Sequence, residues 1–129
     1  MAILGIGTDI VECPRIADMI ERHQDIFITR VFTAAEIEYC SGRKASTQHY
    51  AGRWAAKEAV LKALGTGWRR GISWRDIEIV SNRQGAPLCH LHGGAREVQE
   101  RAGIQRMHVS ISHSRYYAVA YAIAEGEER

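Results

Sequence analysis

A chain of 129 residues with 46% hydrophobic and 25% charged side chains has the balance of a folding protein, not of a disordered or fibrous one. Its net charge of +2, from 17 basic and 15 acidic residues, excludes bulk electrostatic attraction to nucleic acid or membrane, so any attraction must be local. The length predicts a single domain over residues 1–129, no apolar run approaches membrane-spanning length, and the opening MAILGIGTDIVE turns acidic too soon for a signal peptide.

Residues 2–10 read as a strand, with Leu4, Ile6, Thr8 and Ile10 on one parity and Ile3, Gly5, Gly7 and Asp9 on the other. The second parity is nearly bare, and its two glycines leave space for something to approach the backbone. From Pro14 the spacing becomes helical, with Ile16, Met19, Ile20, His23 and Phe27 in one stripe. Thr33 and Glu36 form a capping box for a short helix, TAAEIEYCSG, closed by Gly42. Ser46 or Thr47 then caps a longer helix with the apolar stripe Ala56, Ala59, Val60, Ala63 and Leu64, stopped by GTG. Gly52, near its start, would let another backbone come close.

Alternation returns in DIEIVSNRQGAPLCHLH, a β-hairpin whose loop takes its freedom from Gly85. GGAREVQERAG is a short helix punctuated by glycine, and MHVSISHS and YYAVAYAIA make a second hairpin around Ser114 and Arg115. The final EGEER is expected to fray. The predicted class is α+β, with a small antiparallel or mixed sheet and segregated helices.

On a helix, Glu58 and Lys62 lie about 40° apart, on the face that also holds Ala51 and Ala55. The pair fits an ordinary i,i+4 ion pair, and it also fits half of a chemical site. Asp9 could be the second carboxylate, because Mg²⁺ takes one or two protein oxygens and leaves its other positions to water and substrate phosphates. Asp9 equally suits a strand end turning before Pro14.

Other constellations are weaker. Ser112 and His113, adjacent in SISHS, do not make a triad, because nucleophile and base need geometry and not adjacency; exposed turn chemistry and a ligand-contacting hairpin tip both remain. In CHLH, His90 and His92 share a solvent face while Cys89 and Leu91 point inward, without the spacing of a structural zinc site. Arg15 and Arg22 lie on one side of the first helix and could dock an acidic partner. Asp18 and Asp25, three residues beyond each, make a self-satisfied charge ladder the more ordinary account of the same residues. GIGTD is no dinucleotide fingerprint, because position 10 is isoleucine. The odd number of widely spaced cysteines, Cys13, Cys40 and Cys89, fits a reducing cytoplasm. Arginine supplies 14 of the 17 basic residues, which suits phosphate or carboxylate contacts and also fits a compositional bias.

Taken in order, GIGTDIVE, RVFTAAEIEYC, WAAKEAVLKALGTG and ISHS resemble the holo-[acyl-carrier-protein] synthase family of phosphopantetheinyl transferases. The family's early G-x-D followed by W/F-x-x-K-E-A-x-x-K is filled by Gly7, Asp9, Trp54, Lys57, Glu58, Ala59 and Lys62. The resemblance implies Mg²⁺-dependent transfer of the 4′-phosphopantetheine arm of coenzyme A to a serine of apo acyl carrier protein, in support of fatty acid biosynthesis. It implies Asp9 and Glu58 as metal ligands and Lys62 as the phosphate contact, these three being the catalytic set. It further implies a homotrimer with the coenzyme at subunit interfaces, where ISHS and the NRQGAP loop of one chain meet the helix of another. Arg53, Gly65, Ser112 and His113 then become candidate coenzyme contacts, and Arg15 and Arg22 candidate contacts to the carrier protein. Whether a water on the metal or a free carboxylate oxygen takes the serine proton stays open. The alternative is a noncatalytic coenzyme A or nucleotide-binding module built from the same elements.

Overall fold

Eleven residues of strand lead into four helices before a second strand begins. The computed structural model describes residues 1–68 and 71–127. Its elements run β1 (Ala2–Glu12), α1 (Cys13–His23), α2 (Asp25–Val31), α3 (Ala34–Ser41), α4 (Ser46–Leu64), a 3₁₀ turn (Trp74–Asp76), β2 (Ile77–Ser81), β3 (Pro87–Leu91), α5 (Gly93–Arg101), β4 (Ile104–His113) and β5 (Tyr117–Gly126). Both sheets are antiparallel: three strands in the order β1-β5-β4, and the separate hairpin β2-β3. The expected α+β class is the observed one.

The bare parity of β1 is where α4 docks. A Cβ on Gly5 would overlap the carbonyl oxygen of Ala63, and one on Gly7 that of Ala59, so helix backbone rides directly on strand backbone. The neighbouring strand matches this closeness with Ala118, Ala120, Ala122 and Ala124, all fully buried on the face toward α4. Alanine against alanine keeps helix and sheet close, while bulk is supplied elsewhere by Phe32, Ile16, Ile77, Ile79 and Val60, none of which is exposed. Each such large apolar side chain contributes about 1.5–3 kcal/mol by leaving water.

A buried ion pair ties the helices to the hairpin. Lys57 and Glu36 have no exposed side-chain surface and meet at 2.8 Å. The Lys57 ammonium also donates to the carbonyls of Trp74, at 3.0 Å, and Ile77. Glu36 accepts the backbone N–H groups of Thr33 and Ile79, each at 2.8 Å, so both charges are fully satisfied. The Glu36 contact to Thr33 is one half of the capping box expected from sequence, and the box is present.

Several local expectations need correction. The first helix does not reach Phe27: Gln24, at φ 46° and ψ −127°, breaks it, and Phe27 is buried from α2 instead. Neither Ser46 nor Thr47 caps α4, whose N-cap is Ala45 without a side-chain bond. Gly52 admits not a backbone but the Ile111 side chain, whose Cγ2 would lie 2.9 Å from an added Cβ. Gly65 does close α4 in the left-handed region, at φ 81°. Glu125 and Gly126 belong to β5 and do not fray, whereas residues 128–129 lie outside the described residues. Among the described residues no helix is long and apolar enough to cross a membrane.

Candidate active site

Where β1 crosses α4, three of the expected side chains converge. Asp9 lies inside the strand, paired with Ala120, and so is not a chain-reversing strand end. Two residues beyond Gly7, it is brought down onto the turn of α4 that carries Glu58 and Lys62. The Lys62 ammonium donates to the Thr8 carbonyl at 2.8 Å and stands 3.5 Å from Asp9 Oδ1. Glu58 makes no bond to Lys62; its Oε1 accepts from the indole Nε1 of Trp68 at 3.2 Å. The i,i+4 ion pair that the spacing allows is therefore not formed, since each partner is taken by another element.

Burial raises the Asp9 carboxyl above its ordinary range, opposed by the adjacent Lys62 charge and, more weakly, by Arg15. Burial likewise raises Glu58, and the negative charge of Asp9 adds to the rise, while the Trp68 N–H, Lys62 and Arg15 oppose it. Two desolvated carboxylates that repel each other form a site that gains from a cation. Asp9 Oδ2 is buried without any hydrogen-bond partner. An orphaned carboxylate oxygen of this kind fits a hard divalent ion. The set is a pair, and among the described residues no group of three or more His, Cys, Asp or Glu side chains gathers for metal.

A second cluster lies around the other side of α4. Arg53, only 4% exposed, donates to Ser81 Oγ at 3.1 Å and lies 4.0 Å over the Tyr39 ring, which also carries Arg43 at 4.0 Å. Tyr39 meets His49 edge-on at 5.5 Å, and His49 meets His113 at 5.2 Å. Burial lowers the pKa of His49, as do the charges of His113, Arg53 and Arg43. Arg53 Nε is buried and unpaired, so this cationic, aromatic-lined corner has a donor free for an anion. Arg43, Tyr39 and His49 escaped the sequence reading, although His49 and Arg53 stand at helical i,i+4 spacing.

The expected coenzyme contacts are thus not gathered in one place. On an ideal helix Arg53 lies about 140° from Glu58 and about 180° from Lys62. Gly65 sits beside Lys62 at the end of α4. Ser112 points to the exposed outer face of the sheet, opposite to His113. Arg15 and Arg22 also part company. Arg22 pairs with Asp18 at 3.2 Å, not with Asp25, which lies beyond the break at Gln24. Arg15 leaves the ladder, lies 5.4 Å over the Trp54 ring, and lines a cleft of about 340 Å³ with Met19, Ile26, Arg30 and Trp74.

Residues 5–122 match the model of the 4′-phosphopantetheinyl transferase superfamily. The chain belongs to that superfamily. It is 49% identical over 123 residues to the holo-[acyl-carrier-protein] synthase of Rhodopirellula baltica, covering 95% of this chain and 98% of that one. The crystal structure of the Neisseria meningitidis holo-[acyl-carrier-protein] synthase superposes with a TM-score of 0.88 at 34% identity, over 96% of this chain and 99% of that one. The Helicobacter pylori enzyme, solved in complex with coenzyme A, superposes at 0.83 with 33% identity, over 93% and 99%. The family likeness expected from the four motifs is therefore borne out across nearly the whole chain, and it favours an enzyme over a noncatalytic binding module.

Proposed function

We propose that this chain transfers the 4′-phosphopantetheine group of coenzyme A to a serine hydroxyl of an apo acyl carrier protein, releasing adenosine 3′,5′-bisphosphate and supplying holo carrier protein to fatty acid biosynthesis. Within that activity, the observation that carries the site assignment is the buried, unpartnered Asp9 Oδ2 beside Glu58 and Lys62. The serine oxygen bonds to the phosphorus bearing the pantetheine arm, the bridging P–O bond to the nucleotide breaks, and the serine proton is lost. Charge grows on the phosphate oxygens as this happens, so fixed positive charge and positioning carry the catalysis.

Asp9 and Glu58 would hold Mg²⁺, which supplies charge neutralisation at the pyrophosphate. Lys62 lends a half-exposed ammonium to the same phosphates, anchored by the Thr8 carbonyl and the more distant Asp9 Oδ1, with one proton left over. Arg53 and His113, with Arg43 and His49, would take the nucleotide's own phosphate at the second cluster. The cleft by Arg15 sets two arginines around an apolar floor, which suits an acidic amphipathic helix of the carrier protein. Arg22, paired with Asp18, stands at its margin as a secondary contact.

We place the enzyme in the cytoplasm and read it as a homotrimer. The outer face of the three-stranded sheet exposes Ile6, Ile10, Tyr117 and Tyr121 by half or more of their surface, an apolar area of the kind that a second copy covers. Ser112 shares this face, and a shallow cleft joins Ile6 and Tyr121 to Lys62. A neighbour seated there arrives at the reactive end of the site, which explains how clusters on opposite sides of α4 can serve one ligand. Incubation with coenzyme A, Mg²⁺ and an apo carrier protein, read by intact mass, tests the activity. A carrier protein that gains no phosphopantetheine in a panel of several sinks it.

A further inference from the structure

Glu58 is supported from a direction that the motif does not encode. The loop after α4 takes left-handed turns at Gly65, φ 81°, and Gly67, φ 62°, a conformational freedom that would leave Trp68 unfixed by backbone alone. Trp68 is nevertheless held at two points: its N–H donates to Glu58 Oε1 at 3.2 Å, and its ring centroid lies 4.0 Å from that of Trp74. Trp74 in turn stacks at 5.5 Å and 25° on Trp54, which stands one helical turn before Glu58. Trp74 is itself fixed from below, because its carbonyl accepts from the fully buried Lys57. The three indoles thus form a row that ends at the carboxylate, with Trp74 between Trp54 and Trp68, and Arg15 over the Trp54 ring.

We propose that Trp68 is a positioning residue that engages one oxygen of Glu58 and leaves the other directed at the ligand, with the Trp54–Trp74–Trp68 stack fixing the indole that does so. A carboxylate on a surface helix otherwise samples several rotamers, and a fixed donor to one oxygen removes that freedom before the ligand arrives. This inference rests on the reading of Glu58 as a metal ligand, and its test separates the two.

Trp68→Phe keeps an aromatic ring for the stack and deletes the donor together with the pyrrole half of the indole. In the ¹⁵N-labelled full chain the Trp68 indole N–H resonance is assigned by its loss in this variant, and Glu58→Ala is expected to move it while the other two indole resonances, of Trp54 and Trp74, stay nearly in place. Mn²⁺ binding followed by electron paramagnetic resonance in the presence of coenzyme A is expected to weaken about tenfold in Trp68→Phe, the low end for losing a partner behind a metal ligand. Its melting temperature is expected to match the native protein, and the coenzyme KM to stay unchanged while the Mg²⁺ requirement rises. An indole resonance indifferent to Glu58→Ala, or native Mn²⁺ affinity in Trp68→Phe, overturns the proposal. Failure of the native protein to bind Mn²⁺ at all would instead strike the metal-ligand reading, which the indole resonance does not depend on.

Discussion

The Lys62 ammonium reaches across from α4 to the Thr8 carbonyl at 2.8 Å and in doing so abandons Glu58, its neighbour one turn away. A lysine held by a strand carbonyl and a weaker Asp9 contact has its ammonium fixed at the strand–helix crossing with a proton to spare for phosphate. Lys62→Ala should raise the coenzyme KM at least about tenfold, the worth of one charge-assisted contact. It should shift the melting temperature by no more than a few degrees, because Lys62 is 54% exposed and such pairs add about 0–1 kcal/mol. Steady-state kinetics beside a thermal melt check both, and an unchanged KM removes Lys62 from the phosphate site.

Adjacent residues on α4 should separate structure from chemistry. Glu58→Gln should lower turnover at least about a hundredfold with the fold intact, since it discharges a carboxylate that packing has already desolvated. Lys57→Met should do the reverse in kind, costing about 3–5 kcal/mol of stability by leaving Glu36 buried and unpaired. Urea unfolding of the two variants, with intact-mass assays for transfer, distinguishes them. A normal rate in Glu58→Gln would contradict the metal assignment.

Glu78 gives the protein a predictable acid limit. The Thr33 hydroxyl donates to it at 2.6 Å and holds its carboxyl below the ordinary 4.5; burial opposes the effect and His92 adds to it. A depressed folded value means that the unfolded chain binds the proton more tightly, so this stabilisation is present above pH 4.5 and is lost as pH falls through the folded value. Glu78→Gln should therefore cost about 1–2 kcal/mol near neutrality, with the difference from the native protein closing at the acid end. Melting temperatures across pH 3 to 7, about the range that brackets the carboxylate, report it.

The sheet face offers a direct test of assembly. Ile10 is 66% exposed in the single chain, so Ile10→Asp should leave the protomer folded, within about 0.5 kcal/mol, while preventing a neighbour from seating. Light scattering coupled to size exclusion should show the native chain as a trimer and the variant as a monomer with little activity. A native chain that runs as a monomer at assay concentration would sink the trimer reading.

The main elements were legible because each had a local cause. Alternation marked β1, β4 and β5, the Thr33–Glu36 box marked α3, and the left-handed stop at Gly65 marked the end of α4. The break at Gln24 was not legible, since nothing in the apolar spacing up to Phe27 signals that a non-glycine residue takes φ 46°. Asp9, Glu58 and Lys62 could be grouped from the motif, but their partners could not. The Thr8 carbonyl and the Trp68 indole are reached only through tertiary contacts, and sequence spacing favoured the Glu58–Lys62 pair that the fold does not make. Arg53 and His113 were read as parts of one coenzyme site with Ser112; the pleat of β4 sends Ser112 to the other face, so only the first two share a cluster.

The contact of Gly5 and Gly7 with the carbonyls of Ala63 and Ala59 sets the bite of the two carboxylates by peptide against peptide, with no side chain as a spacer. Drift in the rest of the interior can therefore thicken or thin other layers without changing the calibre of this opening. The same arrangement leaves no slack: a single methyl added at either glycine acts as a shim, prising the strand off the helix and spoiling the grip before any acidic residue has been altered.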